Sequence, residues 1–435
     1  MRYLWGILIL GITILFHEFG HMVTARKNGV FVEEFSVGFG PRILSHKSRK
    51  SGTVYSWKII PFGGSCAMRG ETEEDEHAEG SFTGAKLWQK ALIVAAGPLF
   101  NFLLALIAAF ILAAALGQDP AVVAKVEAGS PAEAAGLEEG DEIIRFDGRT
   151  ILNSRDLQIN LMIYGVPTDN VRITVRRDGE KVQISYVPET TTRWMLGFYY
   201  DDTETKDGVL VTTLEKDSAL KDAGLENGDV ITALNGDDIR STEDLQSWLS
   251  ENPLDGSPVE VTYRRGSRTK TAEHVVPRKE VRASGDFSFT GNYVKQNAAG
   301  VVKTACTETA YNIGLVWKTL GGLVSGIFSI NDFSGPVGIV KTVGDTYQEA
   351  AQHISFAAAL LTLVSILCMI SANLGIMNLI PLPALDGGKL LIYLIEAVTG
   401  KHISMEVQYR TDVVGLGLLL VFSMYITIHD ILRII

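Results

Sequence analysis

Four stretches of the chain are apolar almost without interruption: about Leu4–Thr24, Ala91–Leu116, Phe356–Leu382 and Val413–Ile431. A helix needs about 20 such residues to cross a bilayer, so each is expected to span one. A fifth stretch, Ile313–Ile330, carries Lys318 and several glycines. It reads as an amphipathic helix at the membrane surface. Between the first two spans, Phe31–Gly38 and Thr53–Pro61 are rich in Val, Phe, Ile and Tyr and read as a β-hairpin, closed by Pro61-Phe62-Gly63-Gly64. Such a hairpin can enter the membrane only where protein covers it or a cavity adjoins it. Its free edge suits capture of an extended peptide; a small cytoplasmic hairpin fits the same residues. Glu71–Glu79 reads as a solvated acidic loop.

The middle of the chain changes character. Residues 121–280 contain a repeat: Gly136-Leu137 and Gly140-Asp141 recur as Gly224-Leu225 and Gly228-Asp229, an offset of 88 residues. Asp156-Leu157-Gln158 recurs as Asp244-Leu245-Gln246 at the same offset. Two similar domains in tandem is the economical reading. Each runs strand, Gly-Leu turn, Gly-Asp turn, strand, Asp/Asn-Gly turn, helix and two strands, and each resembles a PDZ domain of bacterial proteases. Such domains bind peptide C-termini by adding a strand to a sheet edge. Leu196-Gly197-Phe198 looks like the carboxylate-binding loop completing the first domain. Gly285 occupies the matching position in the second, between Ser284 and Asp286. Blocked, purely spacing grooves are the alternative.

The expected division is a first membrane part at 1–120, PDZ-like domains at 121–203 and 204–280, linker and surface helices at 281–355, and a second membrane part at 356–435. A mean hydropathy of +0.17 over 435 residues suits this mixture. The net charge of −11 argues against general nucleic-acid binding. Cys66, Cys306 and Cys368 form no disulfide framework and read as packing residues. Arg26, Lys27, Arg42, Lys47, Arg49, Lys50, Lys58 and Arg69 follow the first span. The positive-inside rule places them in the cytoplasm. The repeat region and both termini then lie outside.

Chemistry concentrates in the first span. His17-Glu18-Phe19-Gly20-His21 reads H-E-x-x-H. Residues four apart share a helix face, so both imidazoles can bind one zinc ion. Glu18 stands where this pattern places a general base. Ionisable groups inside a membrane are costly and mark function. Catalytic zinc usually takes three protein ligands, so a third is required. The third span ends Asn378-Leu379-Ile380-Pro381-Leu382-Pro383-Ala384-Leu385-Asp386-Gly387-Gly388, a broken helix whose lone carboxylate is Asp386. With four spans, Asp386 comes to the same cytoplasmic side as His17 and His21. In the second span, Ala95-Ala96-Gly97-Pro98 allows close helix approach. Asn101 there is a bridge between helices or a support for the metal site.

H-E-x-x-H in the first span, Gly97-Pro98 and Asn101 in the second, the tandem PDZ-like repeats, and Asn378, Pro381, Pro383 and Asp386-Gly387 in the third together resemble the site-2 protease family. The bacterial members that regulate extracytoplasmic sigma factors are most similar. The resemblance implies a polytopic α-helical membrane protein with four transmembrane helices, a membrane-associated β-hairpin and two extracytoplasmic PDZ-like α+β domains, in a bacterial inner membrane. It implies His17, His21 and Asp386 as ligands of Zn2+ and Glu18 as catalytic base. Asn378, Pro381, Pro383, Gly63 and Gly64 would meet substrate, and Leu196, Gly197 and Phe198 a peptide terminus. The implied reaction is hydrolysis, within the lipid bilayer, of single-span membrane proteins such as trimmed anti-sigma factors or remnant signal peptides. A PDZ-bearing scaffold without catalysis and a metal transporter are the rival classes. Glu18 speaks against the first, since a structural site needs no base. The large repeat region speaks against the second.

Overall fold

The computed structural model describes residues 2–71, 78–200, 207–215, 217–328 and 333–434. Two compact units form: residues 1–119 with 292–435, and Pro120–Gly291. Most of the acidic run Glu71–Glu79 and the expected 203/204 domain boundary lie outside the described residues.

The first unit opens with α1 (Arg2–Lys27), β1 (Val32–Lys47), β2 (Val54–Met68) and α2 (Leu87–Ala115). The β-element is more than the expected hairpin, because both strands are long and bent. Glu34–Val37 pairs with Gly64–Ala67 on one edge and with Val54–Trp57 on the other, while Leu44–Lys47 pairs with Trp57–Val54. The segment Gly64–Met68 therefore has a strand on one side only among the described residues. Glu34 fastens the layers. It accepts from Arg42 Nε at 2.8 Å and from Ser56 Oγ at 2.5 Å. Arg42, with Ser56 and Lys58, outweighs partial burial and holds the Glu34 carboxyl at about 2.

The second unit begins with β3 (Ala121–Val126), α3 (Pro131–Ala134), β4 (Glu142–Phe146), β5 (Arg149–Thr150), α4 (Ser154–Tyr164), β6 (Val171–Arg177), β7 (Glu180–Tyr186), β8 (Thr190–Met195) and β9 (Phe198–Tyr200). The second repeat follows as β10 (Val209–Leu214), α5 (Ala219–Asp222), β11 (Val230–Leu234), β12 (Asp237–Asp238), α6 (Thr242–Glu251), β13 (Val259–Arg265) and β14 (Arg268–Val275). It closes with β15 (Arg278–Ala283) and β16 (Phe287–Gly291). The repeats match in detail. Asn153 and Ser241 cap α4 and α6 by accepting from Asp156 N and Asp244 N, each worth about 1 kcal/mol. Arg177 holds Asp141 through two nitrogens at 2.8 and 2.7 Å. Arg265 holds Asp229 the same way, also at 2.8 and 2.7 Å. Each repeat has its own core, built on Leu137, Ile143, Leu157 and Ile173 or on Leu225, Ile231, Leu245 and Val261.

The sheets do not close within the repeats. β9 pairs with β10, and β16 pairs with β3. Leu196-Gly197-Phe198 thus belongs to the second repeat, not the first. Leu196 is buried in the second core, and its carbonyl accepts from Ser218 Oγ at 3.0 Å. The strand following Ser284-Gly285-Asp286 completes the first repeat instead. Residues 281–291, expected as linker, are mostly strand: they hold the end of β15, zipped along β8, and all of β16. Chain continuity explains the exchange. β9 lies just before β10 in the chain, so pairing the two joins residues close in sequence, a small entropic cost. β16 on β3 brings the insertion's two ends together: Gln118 and Val294 exchange backbone hydrogen bonds at 3.0 and 2.8 Å.

The first unit resumes with α7 (Ala298–Ser325), α8 (Pro336–His353), α9 (Phe356–Leu379), α10 (Asp386–Thr399) and α11 (Met405–Ile434). α1, α2, α9 and α11 are long and apolar enough to cross a membrane; α7 is not among them. Ser355 caps α9 by accepting from Ala358 N at 3.1 Å. Pro381 and Pro383 fall in the break between α9 and α10. Cys66 is buried in a hydrophobic core and Cys368 against the Ala105 carbonyl, both packing as expected, whereas Cys306 is exposed.

Candidate metal centre

The site forms where α1, α2 and the α9–α10 break meet. His17 and His21 lie one turn apart on α1, 7% and 8% exposed. α1 reaches α2 through glycines. A Cβ on Gly20 would stand 2.4 Å from the Ala96 carbonyl oxygen. One on Gly97 would stand 2.4 Å from His21 Nε2 and 2.7 Å from His17 Cε1. Only glycine at position 97 leaves the imidazoles their space.

Neighbouring groups orient both rings. His21 Nδ1 lies 2.9 Å from the Ile93 carbonyl of α2. A carbonyl only accepts, so the proton sits on Nδ1 and the Nε2 lone pair faces inward. The Asn101 amide lies 3.2 Å from His17 Nδ1. The amide atom facing the ring is Nδ2; turned over, the partnerless Oδ1 would accept that proton and free the second Nε2. The Asn101 backbone carbonyl accepts from Ser371 Oγ of α9 at 2.8 Å. Asn101 thus contacts both α1 and α9, an arrangement that fits either role left open above.

Asp386 arrives as the first residue of α10, and it does not cap that helix. The preceding break is tight: a Cβ on Gly387 would lie 2.3 Å from the Ile380 carbonyl oxygen. Asp386 Oδ2 sits 3.1 Å from His17 Nε2 and 3.4 Å from His21 Nε2, and the two Nε2 atoms are 3.2 Å apart. Zinc bonds of roughly 2.0–2.1 Å at tetrahedral angles place donors about 3.4 Å apart. The Oδ2 atom is buried without a hydrogen bond. Two lone-pair nitrogens and one orphan carboxylate oxygen at that spacing fit zinc. These three residues are the one group of metal-binding type found among the described residues.

A cavity of about 320 Å³ adjoins them, with Glu18, Cys66, Asn378 and Lys389 in its wall. A Cβ on Gly64 would lie 3.4 Å from Glu18 Cγ, so the one-sided Gly64–Met68 strand runs beside Glu18. Gly63 packs on Phe39 instead, at φ +90°. Pro381 and Pro383 are not in the cavity wall. Leu196, Gly197 and Phe198 are in the other unit. Cys66 and Lys389 were missed as site residues. Only the proximity of Lys389 to the Asp-Gly-Gly turn was a usable signal.

The chain is similar to several known proteins. The model described as Peptidase family M50 matches residues 5–422. Regulator of sigma-E protease RseP of Escherichia coli is 29% identical, over 98% of each chain. Zinc metalloprotease RasP of Bacillus licheniformis is 28% identical, again over 98% of each chain. A solved HtrA3 PDZ domain bound to a phage-derived ligand matches 22% of this chain and 93% of its own at 20% identity, with a TM-score of 0.18.

Proposed function

The chain belongs to peptidase family M50 and is an intramembrane zinc metalloprotease, and we propose that His17, His21 and Asp386 are its zinc ligands and Glu18 its base. The observation that carries this is the set of three donors 3.1, 3.2 and 3.4 Å apart, with Glu18 in the wall of the same cavity. When bound, zinc would polarise the scissile carbonyl and lower the pKa of the attacking water toward about 7. Glu18 takes the water proton and delivers it to the departing nitrogen. Asn101 and the Ile93 carbonyl keep both imidazoles in the tautomer that binds metal.

A helical substrate hides its carbonyls in its own hydrogen bonds and must unwind to be cut. The open side of Gly64–Met68 offers replacement bonds by strand addition. Asn378, in the cavity wall, holds a freed backbone group. The substrates are single-span membrane proteins, such as trimmed anti-sigma factors or remnant signal peptides. The PDZ-like pair lies outside the cell and screens them by size; its grooves also suit peptide C-termini. The β1–β2 element lies on the cytoplasmic side, and both termini lie outside. A cysteine at Ser48 should then label only from the cytoplasmic side and one at Thr168 only from outside; labelling of both from one side would refute this orientation.

The ligand set is tested by zinc content. His17→Ala, His21→Ala and Asp386→Ala should each purify with little zinc. Full occupancy in folded Asp386→Ala protein would remove Asp386 from the site.

A further inference from the structure

α11 is the least embedded of the four apolar helices. Only 6% of its apolar window is buried, against 39%, 39% and 33% for α1, α2 and α9. It is nevertheless anchored at defined points. Near its far end, Asp430 accepts from Gly335 N and Gly338 N at the start of α8, at 3.1 and 2.8 Å. Near its beginning, Asp412 Oδ1 accepts from Ala384 N at 3.1 Å. One turn on, Gly415 lies against Pro383. A Cβ there would stand 2.4 Å from Pro383 Cβ and 2.6 Å from its carbonyl oxygen. α11 therefore grips two successive residues of the break, and Asp386 follows two residues later.

Ala384 is unusual in its own right. Its φ is +68°, the left-handed region. The other described non-glycine residues with positive φ are Asp147, Asp178 and Asn235. Those side chains can hydrogen-bond locally in that conformation, and alanine has none to do so. An alanine persists there only when its surroundings over-determine it. The observed restraints are the Asp412 carboxylate on its amide and Gly415 beneath Pro383. If the amide were released, Ala384 would relax to negative φ and swing the chain that carries Asp386.

We propose that Asp412 is a positioning residue for the metal centre: it holds Ala384 left-handed and so aims the Asp386 carboxylate at His17 and His21. This rests on Asp386 being a zinc ligand. Side chains that orient metal ligands are typically worth 10–100-fold in affinity.

The test is zinc titration of purified full-length protein against a competing chelator, with Asp386→Ala alongside. D412A should weaken zinc by about 10-fold or more. D412N keeps an oxygen that accepts from Ala384 and should stay within about 3-fold of the parent. A384G added to D412A should recover most of the loss, because glycine adopts positive φ without an anchor. Should D412A fail to fold, G415A pushes on Pro383 with the carboxylate intact and should also weaken zinc. Parent-like affinity in folded D412A or G415A, equal losses in D412N and D412A, or no recovery with A384G would each overturn the proposal. Parent-like affinity in Asp386→Ala would instead sink the ligand assignment beneath it.

Discussion

Gly97→Ala is the smallest change that reaches the metal centre without altering a ligand. The new methyl would lie 2.4 Å from His21 Nε2, 2.6 Å from His21 Cε1 and 2.7 Å from His17 Cε1. Relaxed contacts between such atoms lie near 3.5–4.0 Å, so about 1 Å must be found. It must come from the imidazoles or from parting α1 and α2, which are held together nearby at Gly20 and Ala96. Displacements of about 1 Å at a catalytic group can cost 10²-fold in rate. Helix propensity works the other way, because alanine is better than glycine by about 0.5–1 kcal/mol. The variant is therefore expected to fold and insert, bind zinc more weakly, and cut a membrane peptide roughly 100-fold more slowly. Zinc affinity by chelator competition and turnover of a fluorogenic membrane peptide read this out. Gly314→Ala on α7 is the control, with nothing within 4 Å of its new methyl. Parent-like zinc affinity and turnover in Gly97→Ala would refute the close packing of α2 on the histidines.

Excising Pro120–Gly291 should leave zinc binding intact, because Gln118 and Val294 already pair at the excision point and every proposed ligand is in the other unit. If the domains are a size screen, the excised protein should also cut a substrate that still carries its folded outer domain; continued resistance of that substrate would refute the screen. The Arg42 hydrogen bond holds the folded Glu34 carboxyl down at about 2, against about 4.3 when unfolded. Its depressed carboxyl stabilises the fold above about pH 4.3, and that contribution fades as pH falls toward 2. The Tm difference between parent and Glu34→Gln should close across this window, and a constant difference would show that the Arg42–Glu34 pair contributes nothing.

Features set by local pattern were legible in the sequence. Apolar length marked α1, α2, α9 and α11, and the fixed offset of Gly-Asp turns marked the repeat. His17, His21 and Asp386 could be brought together by depth alone, because a membrane fixes one coordinate for every residue in a span. Features set by partner choice were not legible. Nothing in Leu196-Gly197-Phe198 says which of two similar sheets it will edge; loop closure and the meeting of Gln118 with Val294 decide that. The double pairing of β1 and β2 is equally hidden, since each segment's apolar alternation suits either neighbour. The tightness at Gly97 was visible only as a small residue in a span. The α11 contacts with Pro383 and Ala384 come from Asp412, just before the apolar stretch Val413–Ile431, and from Gly415 within it, neither of which carries an apolar signal.

The most direct test compares the parent with Glu18→Gln in zinc content and in turnover of a membrane-embedded peptide, on the same purified samples. The amide cannot take the water proton, yet Glu18 is not among the three converging donors. The account predicts zinc at the parent level and cleavage lowered by at least 10²-fold. Cleavage at the parent rate with zinc bound would contradict the assignment of Glu18, and with it the reading of His17-Glu18-Phe19-Gly20-His21 as a catalytic element.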